Sequence, residues 1–273
     1  MTTTWMTDVK GAGAYAEVNG LNLYYETHGD GRPMLLLHGG LGSGQMFGPI
    51  LPTLAEHHRV ITPDLQGHGR SADIDRPIDE RLMADDIAAL IDHLGLDRPD
   101  IVGYSLGGGV AFHTAVKYPA KIRKAVLASV YYRSEDVHSE LKAQQGQVNA
   151  SAAEFMKETP MWQTYQQLAP RPEDFGRLLD KIGDMMQNEF DYTKELRGIQ
   201  VPTMLVAADA DQAPPSAFVE AFKLLDGGLR DGGWMGEHRP AGGHALAILP
   251  GLTHYNSFSS PLFADVILAF LDD

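Results

Sequence analysis

The sequence of 273 residues contains no cysteine, and this absence excludes a disulfide framework, a thiolate nucleophile and a Cys-ligated metal. The sequence also lacks an excess of positive charge. Its 22 Lys and Arg residues stand against 36 Asp and Glu residues, so the formal net charge is −14. Such a charge repels a phosphate backbone, and no cluster of basic and aromatic residues reverses it locally. We therefore expect no nucleic-acid partner.

Long apolar runs are missing as well. The longest lie around residues 34–37 and 266–271, and both are far too short to cross a bilayer. The first ten residues, MTTTWMTDVK, have no apolar stretch of the kind that a secretory signal needs. The sequence therefore predicts no membrane association and a cytoplasmic location.

Motifs for metals and nucleotides are absent too. The 11 histidines show no H-E-x-x-H or similar ligand spacing. A glycine-rich stretch at 39–44 follows an apolar run, but it matches neither G-x-G-x-x-G nor the P-loop pattern, because no Gly-Lys-Ser or Gly-Lys-Thr follows it. We expect neither a metal nor another cofactor.

The sequence does contain a regular alternation of strand-like and helix-like segments. Two short strands flank Asn19-Gly20, a dipeptide typical of hairpin turns, and form a predicted antiparallel edge. Apolar runs then alternate with stretches of helical periodicity, as in parallel strands joined by helical crossovers. We predict an α/β fold with a mostly parallel, doubly wound sheet of eight strands flanked by helices. The predicted strands are 15–18, 21–27, 34–37, 59–62, 100–102, 122–129, 202–207 and 245–249.

Strand-like runs vanish between residues 131 and 197. We predict a helical cap (lid) at 131–197, inserted into a core domain that consists of 1–130 and 198–273. The spacing from Ser151 to Glu154 is that of a capping box, which predicts a helix start. The large apolar residues of this segment are expected either to line a substrate pocket or to pack the cap onto the core. They are Met161, Trp162, Tyr165, Met185, Met186 and Phe190.

The most specific motif is a G-x-S-x-G sequence between a predicted strand and a predicted helix, Gly103-Tyr104-Ser105-Leu106-Gly107. A nucleophile on such a tight turn needs small residues two positions away on both sides, because larger side chains would collide with the neighbouring backbone. Ser105 is therefore a candidate nucleophile. Alternatively, Ser105 is only the N-cap of the following helix, a position that serine favours.

Four motifs together resemble those of the α/β-hydrolase superfamily, in its branch of esterases, lactonases and carbon-carbon bond hydrolases. In the family's order they are His38-Gly39-Gly40, the stretch 64–71, the serine motif, and a late Asp and His. The resemblance covers nearly the whole chain except the predicted cap. Family members that remove halides or open epoxides carry Asp at the nucleophile position, so Ser105 argues against both activities.

A serine hydroxyl needs a base to take its proton and an acid to hold that base in one tautomer. The base is expected after the last strand, where His254 lies. The resemblance implies that the acid follows a late strand, where both Asp209 and Asp211 lie. Asp211 is the better match, because a proline follows it four positions later as in the family, and Asp209 remains the alternative.

The other histidines are expected to have structural roles or to face solvent. His244 precedes the last strand and would emerge at its wrong end, while His68 resembles the family's structural Gly-His-Gly turn. His57 and His58 fit a solvated helix end. Surface positions or hydrogen-bonded core positions are expected for His93, His113 and His138.

The resemblance implies a carboxylic ester hydrolase that acts by two-step acyl transfer, and its expected small-molecule substrates are small to medium apolar esters or lactones. In this reading the backbone N–H groups of Gly40 and Leu106 form the oxyanion hole. Alternatives with the same residues are an acyl-homoserine or enol lactonase, a carbon-carbon bond hydrolase and a cofactor-free perhydrolase. A ligand receptor with a hydrolase-like fold is the non-enzymatic alternative. The sequence leaves the oligomeric state open.

Overall fold

The structure is a computed structural model that describes residues 11–237 and 242–273. The first ten residues, on which the expectation about a secretory signal depends, lie outside this part of the chain. One sheet of eight strands forms the centre of the molecule. The strands are β1 (Ala12–Val18), β2 (Leu21–His28), β3 (Arg32–Leu37), β4 (His58–Pro63), β5 (Asp100–Tyr104), β6 (Ala125–Ala128), β7 (Thr203–Ala210) and β8 (Ala245–Thr253).

The strand pairing confirms the predicted fold class. The order across the sheet is β1-β2-β4-β3-β5-β6-β7-β8. β1 and β2 form the antiparallel hairpin around Asn19 and Gly20, whose φ angles of 48° and 81° are those that such a turn requires. β2 is also antiparallel to β4. The remaining pairs, β4-β3, β3-β5, β5-β6, β6-β7 and β7-β8, are all parallel. The sheet is therefore mixed but mostly parallel.

Helices cover both faces of this sheet. They are α1 (Leu51–Ala55), α2 (Glu80–His93), α3 (Leu106–Lys117), α4 (Ser139–Gln145), α5 (Ala153–Met156), α6 (Pro160–Leu168), α7 (Phe175–Met186), α8 (Thr193–Arg197), α9 (Pro215–Leu224) and α10 (Pro261–Leu271). α2 begins after Asp79, whose carboxylate accepts hydrogen bonds from two backbone N–H groups of the first turn. α10 begins after Ser260 in the same way, as its Ser-Pro start predicts.

Alternate residues of the central strand β3 serve two separate cores. Leu35 and Leu37 are buried with α2 and α3 on one face of the sheet. Met34 and Leu36 are buried with α1 and α10 on the other face. A strand buried on both faces must be apolar at every position, which is why this segment is a continuous apolar run rather than an alternating one.

The segment between β3 and β4 does not form the single helix that its length and pattern predict. It contains a 3-10 turn at Gly44–Phe47 and the five-residue helix α1. Gly48 and Pro49 lie between the two. Proline lacks the N–H group that a continuous helix needs, so the two short pieces remain separate.

The segment 131–197 contains α4 to α8, and an isolated bridge pairs Arg133 with Asp191 near its two ends. The predicted capping box at Ser151 is wrong. Asn149 is the cap instead, because its side-chain oxygen accepts hydrogen bonds from both the N–H and the hydroxyl of Ser151, at 2.9 and 2.6 Å. The hydroxyl of Ser151 is thereby used and a 3-10 turn precedes α5.

α7 fixes this segment to the rest of the molecule. Leu178, Leu179 and Ile182 bury its apolar face in the same core as α2 and α3. On its polar side, the ammonium group of Lys181 donates to the carboxylate of Asp73 at 2.7 Å and to two backbone carbonyls of the same loop. An apolar contact and a charge-assisted one therefore hold the helix in place.

The expectation of a solvated His58 is wrong. His58 is the first residue of β4 and is buried, with its Nε2 atom 3.1 Å from a carboxylate oxygen of Asp272 at the end of α10. The side chain of the preceding His57 is about half exposed. The strand begins one residue earlier than the pattern indicates, and this difference turns His58 inward.

Candidate active site

Ser105 lies on the tight turn between β5 and α3, with φ of 53° and ψ of −120°. A positive φ is rare for a residue with a side chain, so this backbone is strained. The N–H of Ser105 donates to the carbonyl of Ala128 at 2.9 Å, which ties the turn to the end of β6. The side chain makes no cap hydrogen bond to α3. The alternative interpretation of Ser105 as a helix cap therefore lacks the contact that defines a cap.

Both glycines of the motif are required by close backbone contacts. A Cβ atom on Gly103 would overlap the carbonyl of Gly107. A Cβ atom on Gly107 would overlap the carbonyl oxygens of Leu37 and His38 at the end of β3. The two glycines thus let α3 start directly against β3, and this contact holds the serine hydroxyl at the sheet edge.

His254 follows β8 directly and reaches the serine. Its Nε2 atom lies 3.1 Å from Oγ of Ser105. The hydroxyl of Tyr104 donates a short hydrogen bond to the backbone carbonyl of His254, and the two rings lie 5.2 Å apart. The residue before the serine therefore supports the backbone of this histidine. The motif does not reveal that contact, because the two residues are 150 positions apart.

Asp211 completes the arrangement. Its Oδ1 atom lies 2.7 Å from Nδ1 of His254, and it also accepts from the N–H of Gln212 at 2.8 Å. Its Oδ2 atom accepts from the hydroxyl of Ser129 at 2.7 Å and from the N–H of Ala208 at 3.1 Å. Burial alone would raise the pKa of Asp211, but the hydrogen bond and charge of His254 and these donors outweigh it and hold the pKa below its ordinary value.

Asp209 makes a different set of contacts. Its two carboxylate oxygens accept hydrogen bonds from the N–H groups of Gly251 and Leu252, at 2.9 and 3.2 Å. These bonds join the end of β7, in which Asp209 lies, to the end of β8. Of the two candidate acids, the structure brings Asp211 to His254 and uses Asp209 to join the two strands.

The carboxylate of Asp211 leaves only one role for its partner. A carboxylate accepts hydrogen bonds, so Nδ1 of His254 carries the proton and Nε2 presents a lone pair to Ser105. The hydroxyl of Ser105 can then donate to Nε2. Three side chains from the ends of three different strands are thus joined in one hydrogen-bonded series.

Gly40 and Leu106 lie next to each other beside Ser105. A Cβ atom on Gly40 would be 4.0 Å from the Cβ atom of Leu106, and both residues line the same cavity as Ser105. Leu106 is the first residue of α3, where backbone N–H groups have no partner within the helix. The loop that carries Gly40 is therefore close enough to present a second N–H group to the same space.

His38 holds that loop in place. Its Nδ1–H donates to the carbonyl of Gly39 at 2.8 Å, while its Nε2 accepts from the N–H of Leu65 at 2.9 Å. The acceptor role of Nε2 requires a neutral ring. Burial lowers the pKa of His38 to about 3, helped by the neighbouring His68, so the ring is neutral at ordinary pH.

Ser105 opens onto a cavity of about 1360 Å³. Four of the six large apolar residues expected at its walls or in the packing do line it, namely Met161, Met185, Met186 and Phe190. Tyr165 is buried away from it, with its ring 5.1 Å from that of Phe175. Four of the residues thus line the cavity, as one interpretation expects, whereas Tyr165 packs against the core, as the other expects.

Two side chains at this site were not predicted from the sequence. Ser129, with φ of 56°, follows β6 and supports Asp211. Its place at the end of a parallel strand is the signal that could have indicated it. His113 was expected on a surface or in a satisfied core position, but it is buried and lines the cavity without a hydrogen-bond partner for Nε2.

His244 lies at the opposite end of β8 and accepts from the N–H of Thr203.

Residues 32–180, more than half of the chain, match the family model of the alpha/beta hydrolase fold. The chain therefore belongs to this family. A non-heme haloperoxidase from Rhodococcus erythropolis is 32% identical over 225 residues, which are 73% of this chain and 82% of that protein. A soluble epoxide hydrolase from Corynebacterium sp. (strain C12) is 42% identical over 100 residues, 37% of this chain and 35% of that protein.

Among solved structures, a thermophilic esterase from Thermogutta terrifontis has a TM-score of 0.72 at 23% identity, covering 97% of this chain and 98% of its own. This likeness concerns the fold. The chain spans about a third of the length of the epoxide hydrolase and most of the haloperoxidase. The relatives are enzymes, and the family supports a hydrolase that acts on small molecules.

No helix within 11–237 and 242–273 combines the length and apolar character needed to span a membrane. Over the same residues, no group of three or more His, Asp and Glu side chains is arranged to hold a metal ion. The expectations of a cytoplasmic location and of a protein without cofactors stay predictions.

Proposed function

We propose that this protein is a serine hydrolase of carboxylic esters, with Ser105 as nucleophile, His254 as base and Asp211 as the acid that orients the base. The observation that carries this proposal is the hydrogen-bonded series from Ser105 Oγ through His254 to Asp211, with distances of 3.1 and 2.7 Å. This series opens onto a large cavity, so a substrate carbonyl can reach Oγ.

The proposed reaction has two steps. In the first, Nε2 of His254 takes the hydroxyl proton while Oγ of Ser105 bonds to the ester carbonyl carbon, and the resulting oxyanion accepts from the N–H groups of Gly40 and Leu106. The carbon–oxygen bond to the alcohol then breaks, and His254 gives its proton to the leaving alkoxide. In the second step water attacks the acyl-enzyme by the same route, releasing the acid and restoring the serine.

We propose small to medium, mainly apolar esters or lactones as substrates. Support comes from the methionine and aromatic side chains on the cavity wall, which suit an alkyl or acyl chain. In this proposal the helical segment 131–197 is the cap that covers the site, and 11–130 with 198–237 and 242–273 form the core. Met161, Met185 and Met186 come from that segment, so it supplies one wall of the proposed substrate site.

The first experiment is a screen of the purified protein against p-nitrophenyl esters of increasing acyl length and a panel of lactones. Ser105→Ala serves as the blank. We expect turnover of short esters or lactones to fall by about 10³-fold or more in the variant, with an unchanged fold by circular dichroism. Near-normal turnover in the variant contradicts the proposal. Inactivity of the wild type on both panels shifts the assignment to carbon-carbon bond cleavage or to a binding role.

A second candidate is a cofactor-free perhydrolase, because the haloperoxidase is 32% identical over most of its length. The same acyl-enzyme would be attacked by hydrogen peroxide instead of water, which releases a peracid and restores Ser105. Incubation with acetate and hydrogen peroxide tests this candidate. Formation of peracetic acid that requires Ser105 supports it, and its absence beside active ester hydrolysis rules it out.

A further inference from the structure

The cavity extends beyond Ser105 along one face of α3. Gly109 and His113 are four residues apart on α3, so they lie one above the other. Ser105 precedes the helix, and its carbonyl accepts from the N–H of Gly109 at 3.0 Å. All three residues line the cavity. Eight residues of α-helix correspond to about 12 Å along the axis. The cavity therefore has a second end, about two helical turns from the serine.

Glu80 lies between these two ends. It is the first residue of α2, and its carboxylate occupies the space that a side chain on Gly109 would fill. About a quarter of its side-chain surface, 27%, remains accessible, and it lines the cavity. Among the described residues, no group donates a hydrogen bond to this carboxylate. Burial, and next the charge of Asp79, raise the pKa of Glu80 to about 7.

His113 faces this carboxylate without bonding to it. Its side chain is only 8% exposed, and its Nε2 atom has no hydrogen-bond partner and lies 3.8 Å from Oε2 of Glu80. That separation is too long for a hydrogen bond. Burial lowers the pKa of His113 to about 4, so the ring is neutral. A buried imidazole nitrogen without a hydrogen bond is unfavourable, so a third group that bridges it to the partly exposed Glu80 carboxyl is stabilising.

A hydroxyl group fits this gap. An oxygen at about 2.8 Å from each atom can bridge two atoms that are 3.8 Å apart. Such a hydroxyl donates to the carboxylate of Glu80 and accepts from the Nε2–H tautomer of His113, so all three groups are satisfied.

An anionic group fits less well. The carboxyl groups of Asp79, Glu80 and Glu195 all line this end of the cavity. Arg81 lies there too, with its guanidinium 5.2 Å from the centre of the Tyr192 ring, but this one cation stands beside the carboxylates of Asp79 and Glu195 and the partly ionised Glu80. Like charges repel a carboxylate tail at this short range.

We propose that Glu80 and His113 form a second polar site, which binds a hydroxyl group on the part of the substrate remote from the scissile carbonyl. This inference rests on the proposed ester hydrolysis at Ser105 and narrows its substrate class. The helix geometry sets the separation of hydroxyl and carbonyl at about 6 to 12 Å, which an alkyl spacer of about five to ten bonds can span. The cavity lining includes Leu106, Phe112 and Val130, so the spacer is apolar.

Two matched pairs of esters test the site, one for each side of the ester bond. Methyl 6-hydroxyhexanoate is compared with methyl heptanoate, and 6-hydroxyhexyl acetate with heptyl acetate. In each pair a methyl group replaces the hydroxyl. Acid release is followed by pH-stat titration, and the readout is the ratio of the two kcat/KM values. We expect one pair to favour the hydroxyl ester by about tenfold or more.

Variants then assign the preference to the proposed residues. Glu80→Met and His113→Phe replace the polar groups by apolar ones of similar size, and we expect the ratio to fall to about one or below in each. Each ratio compares the kcat/KM values of two substrates on the same variant. A substitution that lowers the reactivity of Ser105 lowers both values equally and leaves the ratio unchanged. Asp92→Asn is the matched control, since this exposed carboxylate lies on the same helix and pairs with Lys121. It should keep the wild-type ratio.

The possible outcomes separate the two proposals. A wild type that hydrolyses both members of each pair without preference, or ratios that do not change in the variants, overturns the polar site and leaves ester hydrolysis intact. A wild type that hydrolyses no ester contradicts the proposed function. In that case the imidazole NMR signals of His113 are recorded in Ser105→Ala with 1,6-hexanediol and with 1-heptanol. A shift with the diol alone supports the site, and no shift overturns it.

Discussion

Replacing Asp211 by asparagine removes a charge from the proposed site and keeps its shape. Oδ1 of Asp211 accepts from Nδ1 of His254 and from the N–H of Gln212, whereas Oδ2 accepts from Ser129 and the N–H of Ala208. The amide nitrogen must therefore point toward a backbone N–H on either side. We expect it to replace Oδ2, because the contact to Ala208 is longer, 3.1 against 2.8 Å, and the hydroxyl of Ser129 can reverse to accept.

In that orientation the amide oxygen still faces Nδ1, so the histidine keeps its tautomer and the loss comes from the missing charge. A carboxylate 2.7 Å from the ring stabilises an imidazolium by about 6 kcal/mol at an effective dielectric constant of about 20. The amide dipole retains part of this. We expect a net loss of about 4 kcal/mol in the transition state, where the imidazolium forms, or about 10³-fold in kcat/KM.

The assay is kcat/KM for a p-nitrophenyl ester that the wild type hydrolyses, with Asp209→Asn as the matched control. Asp209 bonds only to the N–H groups of Gly251 and Leu252 in the turn, so its variant should stay within about tenfold of the wild type. Circular dichroism and thermal melting verify the fold of both variants. The reasoning is refuted if Asp211→Asn keeps more than a tenth of the activity, or if Asp209→Asn loses as much.

Three further predictions concern the supports of the site. Tyr104→Phe removes the hydroxyl that holds the backbone of the proposed base, so we expect kcat to fall about tenfold at nearly constant KM. Gly107→Ala should lower the free energy of unfolding by about 3 kcal/mol or more, because its Cβ overlaps two carbonyls, whereas Gly232→Ala in open space should leave the melting temperature unchanged. Burial lowers the pKa of His38 to about 3 and of His68 to about 4. Below pH 6.5 the unfolded chain therefore binds more protons than the folded protein, and both histidines reduce the free energy of unfolding as the pH falls. The raised pKa values of Glu80, about 7, and Asp64, about 6, act in the opposite direction, so the test compares two proteins. The free energy of urea unfolding at pH 5 minus that at pH 7.5 should be about 2 kcal/mol more positive in His68→Gln than in the wild type, and equal differences contradict this.

Features set by local sterics could be predicted from the sequence. The Asn19-Gly20 turn, the start of α2 after Asp79 and the strained turn at Ser105 each depend on a few neighbouring residues. Their side chains either allow the required φ angle or supply the cap. The mostly parallel pairing could be predicted too, because strands that alternate with helical crossovers pair in parallel, whereas the order of the strands across the sheet was not predicted. The strand ends were less exact, since β6 begins at Ala125 and β8 continues to Thr253.

Features set by contacts across the sheet could not be predicted in this way. Whether Asp209 or Asp211 meets His254 depends on how the turn after β7 packs against β8, and the two carboxylates look alike in the sequence. Ser129 has no motif of its own, and its role appears only once β6 and β7 lie side by side. His113 has the spacing of the other buried residues of α3, so nothing in the sequence distinguishes it from them. The position of Glu80 near it depends on Gly109, because a side chain there would overlap the Glu80 carboxylate.

One helix links the proposed reacting end of the cavity to its polar end. α3 is fixed against β3 through Gly107, and it carries Ser105 and His113 on one face. The distance between the two ends is therefore set by the rigid rise of the helix and not by the segment 131–197, which supplies the methionines of the opposite wall. If both proposals hold, α3 determines how far from the ester bond a hydroxyl binds, whereas 131–197 determines how wide the intervening chain can be. Substitutions at those methionines should change the tolerated branching of the spacer without moving the preferred hydroxyl position.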